Sequence, residues 1–533
     1  MRTLLISPEF PYSFWSCPKT CQLKGHKAVN PPLGLLTVAA LLPSEWEMRL
    51  VDLTTSQLKD KDWHWADLVM ISAMRIQKEG LLALVKEAKA KGKTVVTGGP
   101  FPTIFPQEAL EAGCDFVVRG EGENTIPFLL EALKDGKSQV IENNVNPELT
   151  ASPIPRFDLL RLGDYQSITV QTSRGCPYNC EFCDVINLYG RRPRYKTPKQ
   201  VRAELETLYR LGARGSVFVV DDNFIGSRKH AQDLLQELIP WLKSRGKPFD
   251  FITQAPVNLG HDQEMINLMS AANFERVVIG IESPDENVLR ACQKYHNIGH
   301  PLTESLHNLK RQGMEVIGTF IIGFDGESQG AGERICMFIE QNSIPIAMLN
   351  LLQAPPHTGL WNRLEREGRL RSNIELVGEG NFSELNYEPD RPEAEILREY
   401  IDAWDYLYEP SRFFRRAFRY HLAMSPVHQT NLDVAESSLP RKHVSNQGIT
   451  WRSKLTGITA LFRILWWQGV QASYRRQFWT QLIGILRENP TRFKMYLRTC
   501  ASGLDLIPMR SMVRERIRAI MKERKIETPL AQS

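Results

Sequence analysis

Two series of short apolar segments, each alternating with helix-length stretches, restrict this chain to architectures built on parallel sheets. In the first series, β-branched or apolar runs occupy residues 3–7, 48–52, 68–72, 94–97 and 116–118. In the second they occupy 168–172, 216–220, 249–254, 276–282, 315–322 and 345–351, with helical stretches such as 198–211, 229–242 and 303–312 between them. Parallel neighbours need a crossover long enough to return along the sheet, and an intervening helix supplies it. The first series therefore reads as a doubly wound sheet, whose ligands sit at the carboxyl ends of the strands. The six runs of the second are too few for a closed eight-stranded barrel. A stretch with Pro147, Pro153 and Pro155 joins the two series, and after about residue 381 the alternation gives way to helical signals. The expected organisation is a first domain over 1–145, a linker over 146–160, a second domain over 161–380 and a helical, basic domain over 381–533.

The second series holds the most specific local signal. Directly after its first strand runs Gly175-Cys-Pro-Tyr-Asn-Cys-Glu-Phe-Cys183, a C-x3-C-x2-C spacing that places Cys176, Cys180 and Cys183 on one loop. A [4Fe–4S] cluster that only carries electrons is ordinarily held by four cysteines, so three leave one iron open to another ligand. A zinc site wants a fourth Cys or His close by, and residues 175–228 contain neither beyond these three. Reduced structural thiols are the bland alternative. Cys17 and Cys21 also have C-x3-C spacing, but the next cysteine is Cys114, which leaves no second triad. His64, between Trp63 and Trp65 in a polar stretch, reads as a surface or packing residue rather than a ligand.

The strand ends carry groups that suit ligands. Those of the first series present Asp52, Ser72, Gly98-Gly99-Pro100 and Gly120-Glu121-Gly122-Glu123. Those of the second present Asp221-Asp222-Asn223, Gly280-Ile-Glu282-Ser283, Gly318 through Gly323 to Gly326, and Gln353-Ala-Pro-Pro-His-Thr-Gly359. Carboxylates and amides accept from a positive amine, and glycine lets the backbone approach a ligand closely. Ordinary turn chemistry also places these residue types at strand ends.

The cysteine loop, the strand ends that follow it in order, Gly190-Arg-Arg-Pro-Arg-Tyr-Lys-Thr197, Pro8-Glu-Phe-Pro11 and Pro31-Pro-Leu-Gly-Leu-Leu36 together resemble class B radical S-adenosylmethionine (SAM) enzymes. The subgroup brought to mind contains the hopanoid C-2 methylase and the bacteriochlorophyllide methyltransferases. The resemblance implies an α/β protein with an N-terminal doubly wound cobalamin-binding-type domain, a partial (β/α)6 radical SAM barrel and a mostly helical C-terminal domain. It implies a [4Fe–4S] cluster on Cys176, Cys180 and Cys183, with SAM at the open iron. Phe182 would then lie near the adenine, Asp222 or Asn223 would accept from the ammonium and Glu282 would bond the ribose. Gly318 and Gly323 would face the adenine or methionine. Cobalamin would sit at Asp52, Ser72, Gly98, Gly99 and Glu121. One departure stands out: many cobalamin domains outside this class carry Asp-x-His-x-x-Gly, whereas Val51-Asp-Leu-Thr-Thr-Ser56 has no His. Cobalt would lack that lower ligand, and loss of the cofactor from a degenerate domain stays open.

The implied activity is methyl transfer to an unactivated carbon of a hydrophobic polycyclic substrate, with a hopanoid-like lipid favoured and an electron donor such as flavodoxin or ferredoxin. A radical SAM cyclisation or rearrangement and a tetrapyrrole methyltransferase remain as alternatives. So do readings of another class, an iron–sulfur electron-transfer protein or a membrane-associated binding protein.

Charge is unevenly distributed. Residues 401–533 carry 22 Lys+Arg against 10 Asp+Glu, a net of +12, which leaves 44 against 51 and a net of −7 for residues 1–400. That negative balance argues against nucleic acid as a partner. The basic tail interleaves Arg with aromatics, as in Ser411-Arg-Phe-Phe-Arg-Arg-Ala-Phe-Arg-Tyr420 and Leu461-Phe-Arg-Ile-Leu-Trp-Trp467. Such helices lie on anionic membranes or pack on their own protein with Arg facing water. The expected location is cytoplasmic, with peripheral membrane contact through the C-terminal domain. The apolar opening lacks the flanks of an export signal, and residues 28–43, interrupted by Pro31 and Pro32, are too short to span a bilayer.

Overall fold

The computed structural model describes residues 1–136, 139–143, 145–371, 384–426 and 451–526, the side chains of 451–456 excepted. It divides into two compact units. The first comprises Met1–Ser16, Lys27–Leu238 and Gln353–Glu388; the second comprises Cys17–His26, Ile239–Leu352 and Pro389–Ser533.

The first unit holds a parallel sheet of β1 (Arg2–Ser7), β2 (Glu47–Asp52), β3 (Leu68–Ser72), β4 (Thr94–Gly98), β5 (Phe116–Arg119) and β6 (Gln139–Glu142). Their order is β2-β1-β3-β4-β5-β6. Period-two alternation sends Leu4, Ile6, Val69, Ile71, Val95 and Val117 to one face, where Trp63, Leu81, Val85 and Phe101 cover them. Leu5, Leu68, Met70, Val96, Phe116 and Val118 face the other way, onto Leu35, Ile126 and Leu129. Both faces are buried, as a doubly wound sheet requires. The strand order turns back between β1 and β3, which opens a crevice at their carboxyl ends. The sequence had marked five of these strands; β6 is short and its side chains are mostly exposed, so it lacks the apolar signature.

The same unit contains β7 (Ser167–Val170), paired parallel with β10 (Gly215–Val219), and the two-residue antiparallel pair β8 (Ser173–Arg174) and β9 (Arg194–Tyr195). Two of its helices bear on the site: α1 (Gly122–Asp135) follows β5, and α2 (Pro198–Arg210) follows β9. α2 starts where the sequence dictates. The Thr197 hydroxyl accepts from Gln200 N, the Gln200 side chain reaches back in a capping box, and proline fills the first helical position. Val201, Leu205 and Leu208 form its buried stripe.

In the second unit β11 (Phe249–Ala255), β12 (Phe274–Glu282), β13 (Glu315–Ile322) and β14 (Ile346–Leu351) pair in parallel in sequence order. All six strands expected of the second series form. Five helices of this unit matter below: α3 (Glu393–Leu407), α4 (Pro410–Ala423), α5 (Trp451–Trp466), α6 (Arg475–Glu488) and α7 (Phe493–Glu523). The mostly helical C-terminal region is thus present. The expected boundary at 380/381 lies outside the described residues, and compactness groups the chain differently from the boundaries expected at 145 and 160.

Candidate functional site

The cysteine loop hangs between β8 and a short helix, Val185–Tyr189, and is held by polar side chains rather than by ladders. Gly175 has φ +93°, and a Cβ there would lie 2.8 Å from the Gly190 carbonyl oxygen. Only glycine fits that approach. Cys176 N–H donates to Gly190 O at 3.3 Å and Cys183 N–H to Cys180 O at 3.1 Å. None of the three cysteines is in a disulfide, and all three are partly accessible.

The residues after β10 secure the loop from one side. Asp221 is fully buried and accepts from Thr172 N at 2.6 Å, Ser173 N at 3.0 Å and Ser173 Oγ at 2.9 Å, and from the Thr172 hydroxyl. Burial pushes its pKa up while these donors oppose the shift. With its oxygens so engaged, Asp221 is a structural clasp. Asp222 accepts from Gly175 N at 3.0 Å, and burial raises its carboxyl to about 7. Asn223 turns its amide nitrogen to within 3.8 Å of Cys176 Sγ, and its Oδ1 is buried without a partner. A buried, unsatisfied acceptor beside Cys176 suits an ammonium donor. The residues present therefore fit the amino group of SAM.

The stretch after the sixth strand of this series also reaches the loop. Leu360 N–H donates to Glu181 O at 2.8 Å, Arg363 Nε donates to Glu181 Oε1 at 2.7 Å, and a Cβ on Gly359 would come within 3.2 Å of the Glu181 side chain. Phe182, the candidate adenine neighbour, is half-buried on the same loop. The sequence reading missed the Tyr195–His230 pair, with ring centroids 4.2 Å apart. Burial lowers His230 to about 4, and its Nε2 has no hydrogen-bond partner. A lone His inside a helix gave no signal of this.

It also missed a buried charge cluster. Arg174 Nη1 donates to Glu121 Oε2 at 2.6 Å and to Glu123 Oε2 at 2.9 Å, and Arg174 Nη2 donates to Glu123 Oε1 at 3.0 Å. Arg194 Nη1 donates to Glu121 Oε2 at 3.0 Å, and Ser152 Oγ donates to Glu123 Oε1 at 2.8 Å. Burial works against the charge on Glu123, yet Arg174 overcomes it and holds the pKa below the ordinary carboxylate value. Glu121, expected at cobalamin, is instead committed to two arginines of the cysteine-loop region. Its Oε2 accepts from both arginines, while its Oε1, 2.7 Å from Arg194 Nη2, is buried without a hydrogen bond.

The remaining first-series candidates stand at the carboxyl ends of the sheet. Ser72 and Gly99 meet there: Gly99 has φ +93° and a Cβ would lie 2.5 Å from Ser72 Oγ. Gly98 closes β4 beside them. Asp52 is buried and accepts from Tyr165 Oη at 2.9 Å and Thr54 N at 3.0 Å, so its oxygens serve the turn after β2. His64 bonds Asp60 O within its own helix, ahead of the amino end of β3. The only histidines over residues 26–130 are His26 and His64, so these strand ends offer no imidazole to cobalt. The small residues at the carboxyl ends of β3 and β4 would fit a flat cofactor that takes no ligand from the protein.

The other candidates belong to the second compact unit. Glu282 ends β12 at a bulge with φ +62°, a left-handed conformation costly for a non-glycine residue, and its carboxylate pairs with buried Lys294. Gly318 lies inside β13, where the space a Cβ would take is filled by Phe320 and Ile344. Gly323 follows β13 with φ +111°, and its N–H donates to Glu327 Oε2 at 2.9 Å. Glu327, missed by the sequence reading, pairs with Arg391 at 3.1 Å, which also binds Glu399 at 2.9 Å. Burial outweighs these contacts and lifts Glu327 to about 7, and its Oε1 is buried without a hydrogen bond. Cys17 and Cys21 also fall in this unit, where burial raises Cys21 to about 12 and leaves it an inert thiol.

Three family models match the chain: a B12 binding domain over residues 26–130, the radical SAM superfamily over 170–339, and a domain of unknown function over 358–519. An uncharacterized methyltransferase of Synechocystis sp. is 43% identical over 97% of this chain and 93% of its own length. The hopanoid C-2 methylase of Rhodopseudomonas palustris is 35% identical over 90% of this chain and 88% of its own. Among solved structures, the cobalamin-dependent SAM radical enzyme OxsB, with aqua-cobalamin and SAM bound, superimposes with a TM-score of 0.59 over 99% of this chain and 82% of that one. At 14% identity that likeness is one of fold alone.

Proposed function

Because this chain belongs to the cobalamin-binding radical SAM methyltransferases, we propose that it methylates an unactivated carbon of a hydrophobic, polycyclic, hopanoid-like lipid. Its cofactors are a [4Fe–4S] cluster, SAM and cobalamin. When bound, the cluster and SAM supply hydrogen abstraction by one-electron chemistry, and cobalamin supplies the methyl group. The near full-length likeness to a hopanoid C-2 methylase supports the lipid acceptor.

The observation that carries the reaction class is the open acceptor beside the cysteine loop. Cys176, Cys180 and Cys183 would hold three irons, while Asn223 Oδ1 and the Asp222 carboxylate would receive the ammonium of SAM next to the fourth. Asp221 and Asp222 hold the loop backbone in place through its N–H groups, so the thiolates need little rearrangement to ligate. Ser72, Gly98 and Gly99 would line the cobalamin crevice. Phe182, Glu282 and Gly323 are proposed to complete the SAM site. The reductant would be a small electron carrier of the flavodoxin or ferredoxin type. The domain boundaries at 145, 160 and 380 stand as proposed divisions.

The test is anaerobic reconstitution with iron, sulfide and cobalamin, then incubation with SAM and reductant, with deoxyadenosine and S-adenosylhomocysteine both quantified. A rise of both products on adding a hopanoid extract, with a methylated lipid formed, is the expected result. The same rise with a chlorophyllide instead would move the acceptor to a tetrapyrrole. Deoxyadenosine without S-adenosylhomocysteine would replace methyl transfer by rearrangement.

A further inference from the structure

The helices α5 and α6 are joined by a π turn, Trp467–Gln471, and bury only one side. On that side Ile464, Phe478, Leu482 and Ile485 are packed, with Phe478 edge-on to Phe414 of α4 at 6.2 Å. On the other, Ile458, Phe462, Trp466 and Val470 are exposed at four-residue spacing, and Trp479, Ile483 and Leu486 continue the stripe on α6. Phe462 is 68% and Trp466 54% exposed. Trp479 joins the two stripes: its Nε1 donates to Gly469 O at 2.8 Å, and its ring fills the space a Cβ on Gly469 would need. Single exposed apolar residues are ordinary, but a continuous helical stripe marks a contact surface.

Charge identifies the occupant. Over residues 457–488 the exposed ionic side chains are Arg463, Arg475, Arg476 and Arg487 against the single acid Glu488. Two tryptophans with an apolar stripe and a fringe of arginine match the boundary between lipid headgroups and acyl chains. No described helix is long and apolar enough to cross a membrane. We propose that the exposed face of α5 and α6 docks on the surface of an anionic phospholipid membrane. The inference goes beyond the reading of the reaction and does not rest on it.

The test floats the full-length protein with vesicles of phosphatidylglycerol and phosphatidylcholine, and separately with phosphatidylcholine alone, at low and high salt. Recovery with the anionic vesicles, declining as salt rises, is expected. Phe462→Ser with Trp466→Ser should weaken partitioning at least about tenfold, and Ile483→Ser with Leu486→Ser should do the same from the other helix. Removing Arg475 and Arg476 as serines should weaken it about fivefold for each charge. Met512→Ser, an exposed apolar residue on α7 outside the face, should change nothing. Equal flotation of wild type and both apolar double variants would overturn the proposal. So would a wild-type dimer that either double variant dissociates, since the face would then belong to a second copy. The vesicles contain no acceptor lipid, so the result is independent of what the enzyme methylates.

Discussion

Replacing Arg174 by Met isolates the energetics that fix the cysteine loop. The guanidinium is 11% exposed and donates to Glu121 and Glu123, which are 4% and 2% exposed. After the substitution Glu121 keeps Arg194 at 2.7 Å, whereas Glu123 keeps only the Ser152 hydroxyl at 2.8 Å. One carboxylate is left buried without a cation, and breaking a buried pair in this way costs about 3–5 kcal/mol. Because Arg174 lies two residues before Cys176, iron retention after reconstitution should fall as well. Urea unfolding followed by tryptophan fluorescence and circular dichroism gives the stability change, and iron per chain gives the second readout. The decisive comparison is the double variant Arg174→Met with Glu123→Met, which removes both charges and fills the site with apolar volume. It should recover most of the loss, because the penalty arises from the orphaned carboxylate and not from the missing contact. A single variant within about 1 kcal/mol of wild type, or a double variant no better than the single, would refute the reasoning.

Asn223→Ala should leave iron content unchanged but weaken SAM binding roughly 10- to 150-fold, the range for a hydrogen bond to a charged group, measured by equilibrium dialysis on the reconstituted protein. Cys183→Ala should abolish deoxyadenosine formation while far-ultraviolet circular dichroism stays near wild type. Glu327 gives a pH signature: its folded pKa of about 7 lies above the usual value near 4.5, so the native state holds a proton that the unfolded chain has lost. Its contribution is full below about pH 4.5 and disappears as pH rises through about 7, a decline of up to roughly 1.4 kcal/mol per unit. Glu327→Gln should flatten that part of the urea-midpoint profile, and an unchanged slope would count against the assignment. Gly175→Ala forces φ +93° on a residue whose Cβ meets Gly190 O at 2.8 Å, so it should lower cluster occupancy as well as stability by about 1–3 kcal/mol.

The fold was legible where burial is two-sided. A strand such as Leu68–Ser72 is a nearly continuous apolar run because helices cover both faces of the first parallel sheet. Gln139–Glu142 escaped notice because three of its four side chains are exposed. The cysteine loop and the Asp-Asp-Asn stretch stand out as candidates because their residue types are consecutive, but which of the three side chains bonds the backbone was not legible. Which of Asp221, Asp222 and Asn223 is spent on the backbone depends on where residues 172–175 lie, about fifty positions upstream. The pairing of Glu121 was hidden for the same reason, since its arginines lie 53 and 73 positions downstream. An acid at a helix start after a strand looks like a ligand contact or a dipole partner, and nothing local announces Arg174 or Arg194. The packing of Phe320 and Ile344 against Gly318 was likewise not legible, since nothing in the glycine's own surroundings in the sequence announces it.

The buried charges also account for why compactness does not follow the two strand series. A chain divided at residues 145 to 160 would need a polar, hydrated junction there. Instead Glu121 and Glu123, at the start of α1, meet Arg174 and Arg194 with their side chains nearly closed to solvent, and Arg194 also donates to Pro147 O at 2.7 Å within the connecting stretch. Charges placed this deep bind only in one geometry, since a shift that separates them leaves each desolvated and unpaired. The first sheet, the connection and the cysteine loop are thereby set in register by four side chains from two series. Arg363 on Glu181 and the carboxylates of Asp221 and Asp222 add restraints from other segments. A C-x3-C-x2-C motif specifies ligands for a cluster. Where the proposed ligands would stand relative to the first sheet depends on Arg174 and Arg194 among others, residues with no proposed cofactor role of their own.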